Sequence, residues 1–208
     1  MKQIQNIFCV GRNYRLHAEE LGNDVPTSPM LFDKPTRSLV EAAGQVIDFP
    51  GNRGEIHYEA ELVVHIGRAY KPGMTLDEVV DEMALGVDLT LRDVQSVLKK
   101  NGHPWLLAKG FKNAAILTPF HPFPGESALT QTDFSMLKNG EQVQRGNIRD
   151  VIFDLMTIIQ YTTEHFGLDQ GDIIYTGTPA GVGPVHDGDQ FSLFWGEEKW
   201  GEFTARLR

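Results

Sequence analysis

Apolar and polar positions alternate over short stretches through most of this chain, and few windows carry the longer period of an amphipathic helix. Residues 4–10, 32–35, 46–49, 61–66, 172–176, 190–194 and 201–207 read as strands bounded by glycine, proline and asparagine. The stretch 12–21 is polar and glycine-free, which predicts a short helix closed by Gly22. Thr75, Leu76, Asp77 and Glu78 make a capping box, predicting a helix that continues through Val79, Val80 and Met83. Gly86, Val87, Asp88 and Leu89 read as a strand end, and 92–100 as helical. Asn139-Gly140, between the apolar runs 134–137 and Val143, is a two-residue hairpin signal. Asp150 is placed to cap a helix with apolar positions Val151, Leu155, Ile158, Ile159 and Tyr161, ended by Gly167. Strands outnumber helices and show no regular βαβ alternation, so the fold class expected is a strand-rich α+β fold.

Within one of these strands lies the most pointed chemistry. Glu59 and Glu61 stand two residues apart, just before Leu62, Val63, Val64 and Ile66. Strand side chains two positions apart share a face, so both carboxylates would project together from an apolar strand. Side by side they repel, and each disfavours ionisation of the other. A divalent cation between them relieves that cost, and an all-oxygen donor set suits Mg²⁺, Mn²⁺ or Ca²⁺ better than zinc. The competing reading is an edge strand with a solvated acidic face.

Composition narrows the classes. At 208 residues the chain is read as one domain, 1–208, large enough to bury a core. A net charge of −9 argues against a nucleic-acid partner and against an anionic membrane surface. No apolar run reaches the roughly 18 residues of a membrane span, and the N-terminal stretch lacks the apolar region of a signal peptide. The single cysteine, Cys9, lies in an apolar run and reads as a buried filler in a reducing compartment. The expected location is cytoplasmic.

Other candidates are weaker when taken singly. Asp88, at the end of an apolar segment, would add a third carboxylate, and Lys109 is a cation able to balance the excess charge. His17 and Glu20, at i and i+3, would share a helix face, the arrangement that makes an imidazole basic enough to draw a proton from water. The run from Thr176 to Pro184 holds three glycines and two prolines. Such a loop exposes backbone N–H groups and, with Thr176 and Thr178, suits a carboxylate; it lacks the lysine of a phosphate-binding loop. The other histidines show no zinc-ligand spacing.

Taken together and in order, these segments resemble the fumarylacetoacetate hydrolase superfamily in its short single-domain form, like the acylpyruvase and oxaloacetate decarboxylase members. The likeness rests on Val10-Gly-Arg-Asn-Tyr14 with His17 and Glu20, on Pro29-Met-Leu-Phe-Asp-Lys-Pro35, and on His57-Tyr-Glu-Ala-Glu61. It continues through Val87-Asp-Leu-Thr-Leu-Arg-Asp-Val-Gln95, Pro104-Trp-Leu-Leu-Ala-Lys109, and Gly171-Asp-Ile-Ile-Tyr-Thr-Gly-Thr-Pro179 with Gly181-Val-Gly-Pro184. The resemblance implies a mixed β-sandwich roll and a homodimer. It makes Glu59, Glu61 and Asp88 ligands of Mg²⁺ or Mn²⁺, with Ca²⁺ able to replace them in crystals. It also implies that Lys109 faces metal and substrate, and that Arg12, Arg92, Gln95 and Thr178 bind a small 2-oxo acid. His17 and Glu20 become a water-activating dyad on a short lid helix.

The reaction so implied is metal-dependent hydrolysis of a C–C bond in an acylpyruvate-like β-diketo acid, through a stabilised enolate. Decarboxylation or isomerisation of oxaloacetate-like 2-oxo acids uses the same enolate and is the alternative. A catalytically idle protein that binds metal and oxo acid is the reading from a different class.

Overall fold

The stretch Ala60–Ile66 is buried along its whole length, which a strand achieves only with neighbours on both edges and cover on both faces. In the computed structural model, which describes residues 3–15 and 26–208, it has both. The strand Ile173–Tyr175 pairs with it on one side and Val80–Asp88 on the other, each antiparallel. It is therefore central, and the edge-strand reading of its acidic start does not hold. Among the described residues this sheet has eight strands. It extends outward through Ile7–Gly11 and Met30–Lys34 on one flank, and through Ala115–Leu117 and Leu39–Glu41 on the other.

Alternation assigns its two faces. Leu62, Val64 and Leu85 join the larger core cluster together with Phe134, Met136, Leu193 and Phe203 from a second sheet of five strands. Val63, Ala84, Ile7, Cys9, Ile173 and Tyr175 form a smaller cluster of their own. Cys9 is buried there, as its apolar surroundings in sequence predict. The second sheet contains the predicted hairpin, Phe134–Lys138 and Glu141–Gly146, with both turn residues, Asn139 and Gly140, at positive φ. Both large sheets mix parallel and antiparallel pairs. A small third sheet joins Ile56–Tyr58 to Thr90–Leu91 and Gly183–Pro184. The strand-rich α+β expectation is met. Among the described residues no helix is long and apolar enough to cross a membrane.

Two helix expectations need correction. The capping box forms, with the Thr75 backbone N–H donating to the Glu78 carboxylate at 2.8 Å, but the helix is a single turn, Leu76–Val79. From Val80 the chain is a strand, because its apolar residues pair into the sheet beside Ala60–Ile66. Tertiary pairing here overrides a local helix start. Asp150 ends a short 3₁₀ turn instead of capping the long helix, which runs Leu155–Phe166 and is capped by Asp154. The Asp154 carboxylate accepts from Thr157 N–H at 2.7 Å. Asp154→Ala is expected to cost about 1 kcal/mol in urea unfolding, whereas Asp150→Ala should stay within about 0.5 kcal/mol of wild type.

Candidate active site

The central strand and its neighbour deliver the three acids to one place. Glu61 is the second residue of Ala60–Ile66, Glu59 directly precedes that strand, and Asp88 ends Val80–Asp88. The register sets Ala60 opposite Val87, and the Asp88 N–H donates to the Glu59 carbonyl at 2.8 Å. One oxygen from each carboxylate lies within 4.8 Å of the others, and all three side chains are buried. The same-face reading and the third acid are thus brought together in space.

Three cations meet these three acids. Lys109 Nζ stands 2.6 Å from both Glu59 Oε2 and Asp88 Oδ2. Arg92 Nη2 donates to Glu59 Oε1 at 3.0 Å, and its Nη1 to Gln95 Oε1 at 2.9 Å. Lys34, fully buried, faces Asp88 Oδ1 at 2.6 Å and also donates to the carbonyls of Leu89, Lys109 and Ala114. Burial alone would pull the Lys109 ammonium below the usual lysine value, but the Asp88 and Glu59 charges outweigh it and hold the group charged.

The loop after Ile173–Tyr175 holds a carboxylate, and that carboxylate is the protein's own. The Gly177 N–H donates to Glu61 Oε2 at 2.7 Å. Gly177 has φ +103°, and a Cβ there would come within 2.7 Å of Asn13 Cβ, so glycine is required for the approach. Asn13 clamps this corner, donating to the carbonyls of Thr176 and Phe153 and accepting from Phe153 N–H. The Thr178 hydroxyl proton goes to the Ala60 carbonyl at 2.9 Å, and its oxygen accepts from Gln144.

The residues present fit a divalent cation. Their donors are carboxylate oxygens, the preference of hard ions. Burial raises the Glu61 pKa well above the carboxylate range, and the charges of Asp88 and Glu59 add to it, with Gly177 and Lys109 only partly opposing. Asp88 is raised too, chiefly by burial, with Lys109 and Lys34 pulling the other way. A +2 ion would remove that residual repulsion. Since a raised pKa keeps a proton on a ligand at low pH, metal competes with that proton. Mn²⁺ affinity, followed by electron paramagnetic resonance, should therefore tighten as pH rises above the carboxylate range, by up to about tenfold per unit for one released proton. Glu61→Gln should flatten this slope.

Arg12, Arg92, Gln95, Thr178 and Lys109 line one pocket with the three acids. Arg12 has φ 58°, an uncommon conformation for a side-chain-bearing residue. His17 and Glu20 lie outside the described residues. Sequence reasoning gave no role to Lys34, Gln144 or Lys99. Gln144, buried, spans the site's base, accepting from Ala60 N–H at 2.8 Å and donating to Thr178 Oγ1 at 2.8 Å. Nothing in its polar hairpin strand marks it. For Lys34, which follows Asp33 in the segment 29–35, no local pattern separates it from a surface lysine.

A buried cluster of hard oxygen donors, wired to lysines at the core of a mixed-sheet fold, has the chemistry of a candidate divalent-metal centre. The chain belongs to the fumarylacetoacetate hydrolase family, whose C-terminal domain model matches residues 6–208. It is 38% identical over 195 residues to the oxaloacetate tautomerase YcgM of Escherichia coli (strain K12), covering 91% of this chain and 88% of that protein. It is also 38% identical to a mitochondrial oxaloacetate decarboxylase of Dictyostelium discoideum, covering 88% and 85%. Among solved structures, a fumarylpyruvate hydrolase from Pseudomonas aeruginosa in complex with Mn²⁺ and pyruvate superposes with TM-score 0.89 at 32% identity, covering 99% of this chain and 91% of the other.

Proposed function

We propose that this protein interconverts the keto and enol forms of oxaloacetate or a closely similar 2-oxo diacid. The observation that carries the reading is the Lys109 ammonium, fixed 2.6 Å from both Glu59 and Asp88 at the floor of the pocket. A held positive charge of this kind is what a developing enolate oxygen requires. The similarity to an oxaloacetate tautomerase over most of both chains supports the same choice.

A divalent ion held by Glu59, Glu61 and Asp88 would act as a Lewis acid towards the 2-oxo group. Lys109 hydrogen-bonds the 2-oxo oxygen and stabilises its negative charge as the C3 proton leaves. Lys34 holds Asp88 in place from behind. The carboxylate next to the 2-oxo group pairs with Arg92, because the Thr178 hydroxyl proton is already committed to Ala60. His17, with Glu20 three positions on in the sequence, is assigned the C3 proton as general base, while the 2-oxo oxygen takes a proton from solvent to complete the enol. In the reverse direction the enol O–H proton is lost and C3 regains its own.

Decarboxylation is the second reading, supported by the Dictyostelium discoideum relative, since loss of CO₂ from oxaloacetate builds the same charge on the same oxygen. The hydrolysis of acylpyruvates expected from the sequence has weaker support, because the most similar curated relatives reported above act on oxaloacetate. The test follows the ultraviolet decay of enol-oxaloacetate alongside pyruvate release and acylpyruvate cleavage, with Mg²⁺, Mn²⁺ and chelator. Metal-dependent enol decay should outpace both other reactions. Faster acylpyruvate cleavage would restore the hydrolase reading.

A further inference from the structure

The helix Arg92–Asn101 places Arg92, Gln95 and Lys99 at i, i+3 and i+7, so all three share one face. That face is the pocket wall: all three residues line the cavity that contains Glu59, Glu61 and Asp88. Arg92 marks its inner end through the Glu59 contact. Lys99 stands two turns further out, roughly 10 Å along the axis. Helical side chains as a rule lean towards the N-terminus, which from Lys99 is the direction of Gln95. Trp105 flanks it, with Nζ 6.0 Å from the ring centroid. Arg12 lines the same mouth.

Charge sharpens the picture. Among the described residues the three acids are matched by Lys34, Lys109 and Arg92, so Arg12 and Lys99 add positive charge beyond what these three acids balance. Burial and the neighbouring Arg12 and Arg92 charges pull the Lys99 ammonium below the usual lysine value, a repulsion that a bound anion would relieve. We propose that Lys99 recognises the second, distal carboxylate of the substrate and so makes the site select 2-oxo diacids over 2-oxo monoacids. The inference rests on the oxaloacetate reading and adds a specificity-determining residue to it.

A simpler role for Lys99 is favourable placement at a helix C-terminus, where a cation stabilises the dipole. Lys100 shares that position without lining the pocket, and is the control. The experiment measures binding by calorimetry, with Mg²⁺ present, of two non-reacting ligands. One is malate, a four-carbon 2-hydroxy diacid; the other is 2-hydroxybutyrate, which lacks the distal carboxylate. Wild type should prefer malate by roughly tenfold, the weight of a hydrogen bond between charged groups. Lys99→Met should erase most of that preference by weakening malate alone, and Lys100→Met should keep it. A preference that survives Lys99→Met, equal weakening of both ligands, or no preference or binding in wild type would overturn the proposal. Oxaloacetate turnover is read separately. A malate preference that depends on Lys99, in an enzyme without tautomerase activity, would sink the functional reading and leave this inference standing.

Discussion

Replacing Lys109 by methionine is expected to cut turnover of oxaloacetate by roughly 10²–10³-fold, the usual loss when one preorganised donor to a developing oxyanion is removed. Enol decay and pyruvate release should fall together, because both reactions build charge on the same oxygen. The substitution carries a second signature. Glu59 and Asp88 would each lose a 2.6 Å ion pair inside a buried site, and breaking a buried pair on one side costs about 3–5 kcal/mol. Chelator-treated Lys109→Met protein should therefore unfold at markedly lower urea concentration than wild type. Adding Mg²⁺ should recover much of that stability by replacing the lost positive charge between Glu59 and Asp88, but not the activity. Recovery of both would mean that Lys109 serves only to neutralise the acids.

Asp88→Asn should have the other large effect, with a different pattern. The amide keeps the shape but removes the charge that Lys34 and Lys109 both face. Mn²⁺ affinity should drop by at least about 10²-fold, and metal-dependent turnover by a similar or larger factor. The same change in Asp81, which pairs with His65 at 2.6 Å away from this pocket, should leave Mn²⁺ binding by the three-acid site intact. Unaltered metal affinity in Asp88→Asn would remove Asp88 from the ligand set.

How much of this was legible in the sequence depended on the range of the interactions involved. The acids could be read because strand alternation is local and rigid: a single residue, Ala60, separates Glu59 from Glu61, and the pleat does the rest. The hairpin at Asn139-Gly140 was readable for the same reason, since both turn residues need positive φ. Val80–Asp88 was misread at its start because a true capping box precedes it; only pairing with Ala60–Ile66 ends the helix after one turn. Asp150 and Asp154 are both plausible caps by residue type, and the 3₁₀ turn that consumes Asp150 is what separates them.

Site residues from distant segments were harder. Lys34 reaches Asp88 and the carbonyls of Leu89 and Ala114 across more than fifty positions of sequence, and no local period announces such a contact. Gln144 comes from a hairpin strand that reads as ordinary polar surface, yet it ties the Ala60 backbone to Thr178. Lys99 did leave a trace, the i, i+3, i+7 spacing with Arg92 and Gln95, but spacing acquires meaning only once that helix face is known to line the pocket. Of the three cations that balance the acids, only Lys109 was read in that role from the sequence. The pairing of Lys34 with Asp88 and of Arg92 with Glu59 changes the electrostatic reading, since the cluster is neutralised from within and an added divalent ion would make the pocket positive and receptive to a dianion.

The central claim is that this pocket stabilises an enolate of a 2-oxo diacid, and exchange of the C3 protons of oxaloacetate with deuterium oxide tests it most directly. Proton magnetic resonance would follow loss of the C3 signal with Mg²⁺-loaded enzyme, with chelated enzyme, and with Lys109→Met. The account predicts exchange that is fast with the loaded wild type, close to the uncatalysed rate after chelation, and lowered roughly 10²–10³-fold by the substitution. C3 exchange at the uncatalysed rate in the loaded wild-type enzyme would contradict it.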